Sequence, residues 1–321
     1  MREFPVLDVV SGETGILLFD EEWRFEVAET VPEFALFPAY FNAHTHIGDS
    51  AVEAPRIGLE ELVGPGGYKF RVLEKTDRNV LVDWMRRSVR TIARTSSTSL
   101  EFREGGLDGY RLYMDADPER VLIALSRPRS EEEAEKLVEI SMGFNFSSVR
   151  DHDFHLIEYC RDLAKRHGKI FAIHAGERDS SDVELALTLE PDFIVHMNMA
   201  ERWQIDEAME RGFVVTCFRS NAFFGLMNAE NYRYMAGSER WLLGTDNAMI
   251  ATPSMLDEVR FASYFVDPES IFRASTRNPF FESYAVANID KVNPRNPIAS
   301  VVRRLESCDI VKIIRDRVRF E

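Results

Sequence analysis

Two histidines stand two residues apart at the end of a short apolar run, Phe37-Pro38-Ala39-Tyr40-Phe41-Asn42-Ala43-His44-Thr45-His46. Side chains at i and i+2 of a strand share a face, so both imidazoles can reach one point beyond the strand end. Imidazole is a common zinc ligand, and a site begun this way needs two further donors from elsewhere in the chain. The spacing alone also suits two chance histidines in a strand-to-loop turn, so the partners decide. Candidates follow other apolar runs: His174 after Ile170-Phe171-Ala172-Ile173, His196 after Phe193-Ile194-Val195, and Asp246 after Trp241-Leu242-Leu243-Gly244-Thr245. Four of the seven histidines thus stand at expected strand ends. His152, His155 and His167 lie in or beside one helical segment and read as surface or helix-end residues.

The elements that must position these groups alternate along the chain. Strands are expected at the run ending in His46, then over 98–102, 120–125, 139–144, 169–173, 192–195, 213–217 and 240–243. Helical segments lie between them, among them 154–166 with Leu156, Cys160 and Leu163 inward, and a capping-box start at Ser130-Glu131-Glu132-Glu133. Eight strands alternating with helices specify an α/β fold, the (β/α)8 TIM barrel, whose active sites gather where the strands end. Met255–Phe265 and the segment 271–286 are expected to close the ring. Short strands within 1–36 and over 309–320 are too few at either end to form a core, so both termini are expected to join in one small β-sandwich domain. That gives a small domain of 1–36 and 288–321, and a barrel of 37–287. The segment 47–75 has no clear helical period and leaves directly from the histidine pair, which suggests a substrate-covering loop. Helix follows, with Val80, Leu81, Trp84, Met85, Val89 and Ile92 as its apolar stripe. Trp84, Trp203 and Trp241 are assigned to core packing.

The motifs, in order, are Asn42-Ala43-His44-Thr45-His46, His174-Ala175-Gly176-Glu177, His196 and Gly244-Thr245-Asp246, with Cys217-Phe218-Arg219-Ser220-Asn221 between the last two. As a set they resemble the amidohydrolase superfamily, and within it the branch of cytosine, adenosine and related deaminases and chlorohydrolase-like enzymes. Phe218 replaces a usual proline. The resemblance implies one divalent metal ion per chain, zinc first and iron second, held by His44, His46, His174 and Asp246. Asp246 would also take the proton of the attacking water, His196 would hydrogen-bond that water, and Glu177 would protonate the ring nitrogen beside the attacked carbon. The end of strand four, Met142-Gly143-Phe144-Asn145, offers no bridging carboxylate or lysine, so a single metal is expected. Asn145 falls where many relatives carry a substrate-touching His or Gln. Glu101 and Arg103, Arg127 and Arg219 lie near the expected mouth. The expected substrate contacts are Arg103, Asn145, Arg219 and Asn221.

Composition narrows the partners. A chain of 321 residues with 45% hydrophobic content can bury one barrel-sized core, and its formal charge of −15 with no basic stripe argues against nucleic acid. Cys160, Cys217 and Cys308 are scattered and odd in number, which fits a reducing compartment. No run reaches the length of a membrane span and no leader is evident, so a cytoplasmic protein acting on a small molecule is expected. Barrels of this kind often pair, which leaves a homodimer open. The leading activity is deamination of a nucleobase- or nucleoside-like N-heterocyclic amine with release of ammonia. Ring hydrolysis of a cyclic amide or imidazolone, or dechlorination, is the alternative with the same ligands. An inactive relative kept for structure or regulation is the third.

Overall fold

The computed structural model describes residues 2–320. Strands are numbered in chain order. The first four, β1 (Arg2–Asp8), β2 (Thr14–Phe19), β3 (Trp23–Val27) and β4 (Phe34–Pro38), are joined by the last three of the chain, β14 (Tyr284–Asn288), β15 (Ile310–Ile314) and β16 (Val318–Phe320). Among the described residues these form one mixed sheet in the order β15-β14-β4-β1-β2-β3-β16. β1 to β3 form an antiparallel meander, and β16 runs parallel to β3 with Val318 opposite Trp23. One face packs Val6, Leu17, Trp23, Phe25, Leu36 and Val286. Both ends of the chain are needed to cover that face. The sheet also sets the entry to the barrel, because only Ala39, Tyr40 and Phe41 separate β4 from the histidine strand.

The barrel strands are β5 (Asn42–His46), β6 (Ser99–Arg103), β7 (Ile123–Ser126), β8 (Gly143–Phe146), β9 (Ile170–Ala175), β10 (Phe193–His196), β11 (Phe213–Thr216), β12 (Trp241–Leu243) and β13 (Asp246–Asn247). All neighbours pair parallel, with a helix between most successive strands. β12 and β13 are two halves of one eighth strand, broken at Gly244-Thr245. The first half pairs with β11 and the second with β5, so the ladder returns on itself. A Cβ on Gly244 would lie 2.7 Å from His44 Cβ and 2.8 Å from its backbone nitrogen, so the seam admits only glycine there. Asn42 stitches it: its Oδ1 accepts from Thr245 N at 3.0 Å and its Nδ2 donates to Thr245 Oγ1 at 2.8 Å.

Inside the ring lie Phe41, Ala43, Leu100, Phe102, Leu125, Ala172, Phe193, Val195, Val215, Cys217 and Leu242, the alternate positions of successive strands. The opposite set, such as Phe171, Ile173 and Ala175, packs outward on the helices. This phase decides which residue at each strand end looks into the mouth.

Several expected boundaries shift. The segment 47–75 contains helices Leu59–Val63 and Tyr68–Lys75. They are too short for a period to accumulate, and both start at glycines without a side-chain cap. Glu139 and Ile140 end the helix Glu131–Ile140, and strand four begins at Gly143. Within 271–286, the helix Pro268–Thr276 packs on the barrel but Tyr284–Asn288 belongs to the terminal sheet. Helix Arg78–Thr95 buries Val82, Met85, Val89 and Ile92, and leaves Val80 and Trp84 exposed. Trp241 is core, its Nε1 donating to Thr216 Oγ1, whereas Trp84 and Trp203 lie on the surface. Trp84 carries Arg87 over its ring instead. Among the described residues no helix is long and apolar enough to cross a membrane.

Glu101 ties the excursion after β5 to β6. It is fully buried, its Oε2 accepts from Ile47 N at 2.9 Å, and its Oε1 has no hydrogen-bond partner. Burial pushes its carboxyl up to about 8, with Arg103 offsetting part of the rise. The unfolded chain loses that proton near 4.5 and the folded chain keeps it to about 8, so stability falls as pH rises through this window. Glu101→Gln retains the acceptor for Ile47 and has no proton to lose. Its melting temperature should therefore fall less between pH 4.5 and 8 than that of the parent; identical slopes would show that Glu101 does not titrate in this way.

Candidate active site

The strand ends gather His44, His46, His174 and Asp246, all buried, with one donor atom of each within 4.8 Å of the others. His44 Nε2 is 3.2 Å from His174 Nε2 and 3.1 Å from Asp246 Oδ1. His46 Nε2 is 3.4 Å from His174 Nε2 and 3.7 Å from Asp246 Oδ1. Four donors held tetrahedrally at zinc-ligand bond lengths would stand about 3.3–3.6 Å apart, so the observed spacing fits one ion. The orientation fits as well. His46 Nδ1 lies 3.0 Å from Phe102 O and His174 Nδ1 2.8 Å from Phe146 O. Each ring therefore donates from Nδ1 and turns a bare Nε2 to the centre. Burial lowers the pKa of all three imidazoles, so they are neutral and their lone pairs free. Burial alone would raise Asp246, but its hydrogen bond with His44 holds its pKa well below the usual value. Its other oxygen accepts from Ser220 Oγ at 2.5 Å.

Strand phase explains most of this placement. Ala172 faces the barrel interior, so His174 does too. Phe41 just before β5 and Ala43 on it face inward, which would turn the even-numbered histidines away. A register irregularity between Asn42 and Thr45 inverts the phase, as bulges beside active sites do. On β10 the inward residues are Phe193 and Val195, and His196 is re-aimed by a left-handed backbone with φ 78°. Asp246 has φ 58°. Such conformations cost roughly 1–3 kcal/mol each and cluster where function needs a side chain re-aimed.

Glu177 follows His174 through Gly176, whose φ is 66° and where a Cβ would meet Met197 Cα at 3.2 Å. Asn198 Nδ2 donates to Glu177 O at 2.9 Å and fixes the turn. Glu177 Oε2 lies 3.5 Å from His196 Nε2. Burial pushes the Glu177 carboxyl up to about 7, against an opposing pull from His196. His196 Nδ1 is buried without a partner.

These groups open on a cavity of about 110 Å³ at the barrel mouth, room for on the order of seven to ten waters. His46, His174, His196, Glu177 and Asp246 line it, and Leu59, Glu60, Val63, Gly64 and Lys69 of the excursion cover one side. Glu104, Arg127, Arg150 and Arg178 complete the wall.

The four expected substrate contacts do not line this cavity. Arg103 is out of phase with inward Phe102, and its Nε donates to Gly109 O. Asn145 is fully buried beneath Arg127, accepting from its Nε and Nη2. Arg219 is spent on Glu258 at 2.6 Å and on Thr252 O, and Asn221 donates to Tyr232 Oη. Glu104, one residue past Arg103, is in phase with Leu100 and Phe102 and does reach the cavity. Extending the alternation by one step would have found it. Lys69 and Ser220 carry no signal of that kind, because their positions depend on how a loop helix and a turn fold back. His155 and His167 are exposed, while His152 is half-buried against Phe146.

A closed ring of parallel strands with a three-histidine, one-aspartate donor set at its C-terminal mouth defines a metal-dependent hydrolase. The chain belongs to the amidohydrolase family, whose model matches residues 35–292, and it is a hydrolase acting on carbon–nitrogen bonds. It is 45% identical over 309 residues, covering 92% of each chain, to a protein of Archaeoglobus fulgidus named provisionally as an aminohydrolase. The fold resembles an adenosine deaminase from Xanthomonas campestris with bound zinc, at a TM-score of 0.72 and 14% identity, covering 98% of this chain and 91% of that one. It also resembles the aminofutalosine deaminase of Helicobacter pylori in complex with methylthio-coformycin, at 0.71 and 13%, covering 98% of both.

The donor geometry predicts that zinc raises the melting temperature of metal-stripped protein, since an ion that binds only the folded state stabilises it. His174→Ala should abolish the shift. Ser220→Ala frees one Asp246 oxygen and should weaken metal affinity about 10–100-fold. Calorimetric titration of zinc into each stripped protein reads all three, and full affinity in His174→Ala would remove it as a ligand.

Proposed function

We propose that the protein is a mononuclear metal-dependent aminohydrolase that deaminates an N-heterocyclic amine and releases ammonia. His44, His46, His174 and Asp246 would hold one divalent ion, with zinc the first candidate. Such an ion supplies Lewis acidity that brings the pKa of water from ~15.7 towards ~7. Asp246, kept ionised and anchored by Ser220, is the base that takes a proton from the attacking water. His196 stands beside it, with a buried nitrogen free to hydrogen-bond the same water. Glu177 delivers a proton to the ring nitrogen next to the attacked carbon. That step makes the amidine electrophilic; the proton held by Asp246 then passes to the exocyclic amine, which departs as ammonia while the added hydroxyl gives its proton back to Glu177 and the carbonyl forms.

The observation that carries this reading is the Glu177 carboxyl. It lines the same cavity as the donor set, lies 3.5 Å from His196, and has a pKa pushed up to about 7 by burial. A carboxyl in that range is partly protonated at neutral pH, as a general acid must be. The shared fold with two deaminases supports the same direction.

Metal-loaded protein should release ammonia from at least one member of a panel of aminopurines, aminopyrimidines and aminopteridines. Silence across the panel would remove the reading, and a product heavier by one water with its nitrogen retained would replace it with ring hydrolysis. Because Glu177 must be protonated, kcat/KM should fall as pH rises through about 7. Glu177→Gln should lose ~10²–10⁴-fold and lose that limb of the profile.

A further inference from the structure

Beside β6 and β7 the cavity wall holds two buried cations that share one directly paired carboxylate. Lys69 and Arg127 are both buried, at 2% and 8% exposure, and both pair with the single carboxylate of Glu104. Lys69 Nζ lies 3.0 Å from one Glu104 oxygen and 3.1 Å from the other, and Arg127 Nη1 is 2.8 Å from the second. Arg127 spends Nε and Nη2 on the neutral amide of Asn145. Among the described residues no other carboxylate pairs with either cation. Asp49, whose pKa burial pushes well above the usual carboxylate range, and Asp151, which accepts from Ser147 Oγ, act on Lys69 and Arg127 only from beyond salt-bridge distance. Of the other acids that line the cavity, Glu60 pairs with Arg178, Asp182 accepts from Gly176 N, Glu177 lies against His196, and Asp246 belongs to the donor set.

A buried charge without a partner is costly, and a folded chain retains one where something supplies the opposite charge. The position says what that something is. In the ring of eight strands, β6 stands diametrically across from β10, which carries His196. A substrate whose reacting edge meets Glu177 and His196 therefore points its far edge at Lys69 and Arg127. Within salt-bridge reach the cations outnumber the carboxylates by one, and the cavity is small, both of which fit a carboxylate.

We infer that Lys69 and Arg127 bind a carboxylate on the substrate, so that the heterocyclic amine bears one carboxylate on the edge remote from the nitrogen it loses. This rests on the deaminase reading for where the reacting edge sits. The carboxylate oxygens accept from Lys69 Nζ and from the Arg127 guanidinium, and Glu104 holds both cations in place.

Two matched pairs of probes test the inference by calorimetry on zinc-loaded protein: pterin against pterin-6-carboxylate, and uracil against orotate. At least one carboxylate should bind about tenfold or more tightly than its parent, the size expected of a charge-assisted hydrogen bond. Lys69→Met and Arg127→Gln should each erase that preference with metal content unchanged. Each leaves Glu104 with one cation, a neutral pair, so both variants should fold. Glu104→Gln leaves two unpaired cations; it should lower the melting temperature, and the preferred carboxylate should raise it further than in the parent protein. Equal affinities within both pairs would overturn the inference, as would a preference that survives in Lys69→Met and Arg127→Gln, which would place the carboxylate on the metal. Ammonia release is read separately. Release without a carboxylate preference keeps the deaminase and discards this inference, whereas a preference that depends on Lys69 and Arg127 without release does the reverse.

Discussion

The backbones of His44 and Gly244 touch so closely that a single methyl group on Gly244 would sit 2.7 Å from the His44 Cβ. This contact closes the strand ring, with Thr245 N donating to His44 O at 2.9 Å and Asn42 bonded across the join. Two of the four donor positions come from β5 and one from the residue after the break, 200 positions later. If the ring did not close here, His44 and His46 would face His174 across an open cleft and Asp246 would have no fixed place. The metal-ligating geometry is therefore a consequence of barrel closure, and the terminal sheet contributes by delivering β4 into β5 over three residues.

Three imidazoles, of which His46 and His174 turn bare Nε2 atoms inward, and one ionised carboxylate, with donor atoms within 4.8 Å of one another and out of water, form a set of acceptors relieved only by the hydrogen bond between His44 and Asp246. Such a set is repulsive on its own terms. Its cohesion comes from outside: carbonyls of Phe102 and Phe146 lock two of the rings from behind, and Ser220 neutralises part of the Asp246 charge. Positive φ at His196 and Asp246 adds local strain on the same rim. The mouth of the barrel is thus its least relaxed region, supported by a lower interior of Phe, Leu and Val side chains that have no such conflict.

Most of this was legible in the sequence because strand ends are easy to see: apolar runs terminated by His174, His196 and Asp246 mark them, and the eight-strand count follows. The strands β1 to β3, β15 and β16 were legible for the same reason, alternating residues bounded by turns, whereas β4 and β14 read as parts of the barrel. What was not legible depended on phase or on non-local folding. The inversion within β5 and the left-handed turn at His196 break the period of two on which strand readings rely, and nothing in residues 42–45 announces it. Arg103 follows the expected strand two and reads as a mouth residue, yet it is the next residue, Glu104, that shares the face of Phe102. Trp84 and Trp203 read as core by size alone, whereas their helices bury other faces.

The excursion after β5 and the charged wall are a single construction. Its root is fixed on two sides, by Glu101 accepting from Ile47 N and by Asp49 accepting from Met249 N in the loop after β13. Its far end is fixed by Lys69 on Glu104. Between these points the helix Leu59–Val63 lays Leu59 and Val63 over the cavity, and Glu60 meets Arg178 beyond Glu177 at 2.7 Å. The Glu60–Arg178 pair is half-exposed and screened by solvent, so it contributes little. The Lys69–Glu104 pair is buried, where attraction is far stronger and separation leaves a charge unmet. The strength of the cover is therefore concentrated at one contact on the cavity wall, and a ligand that competes for Lys69 acts on the position of the whole segment above it.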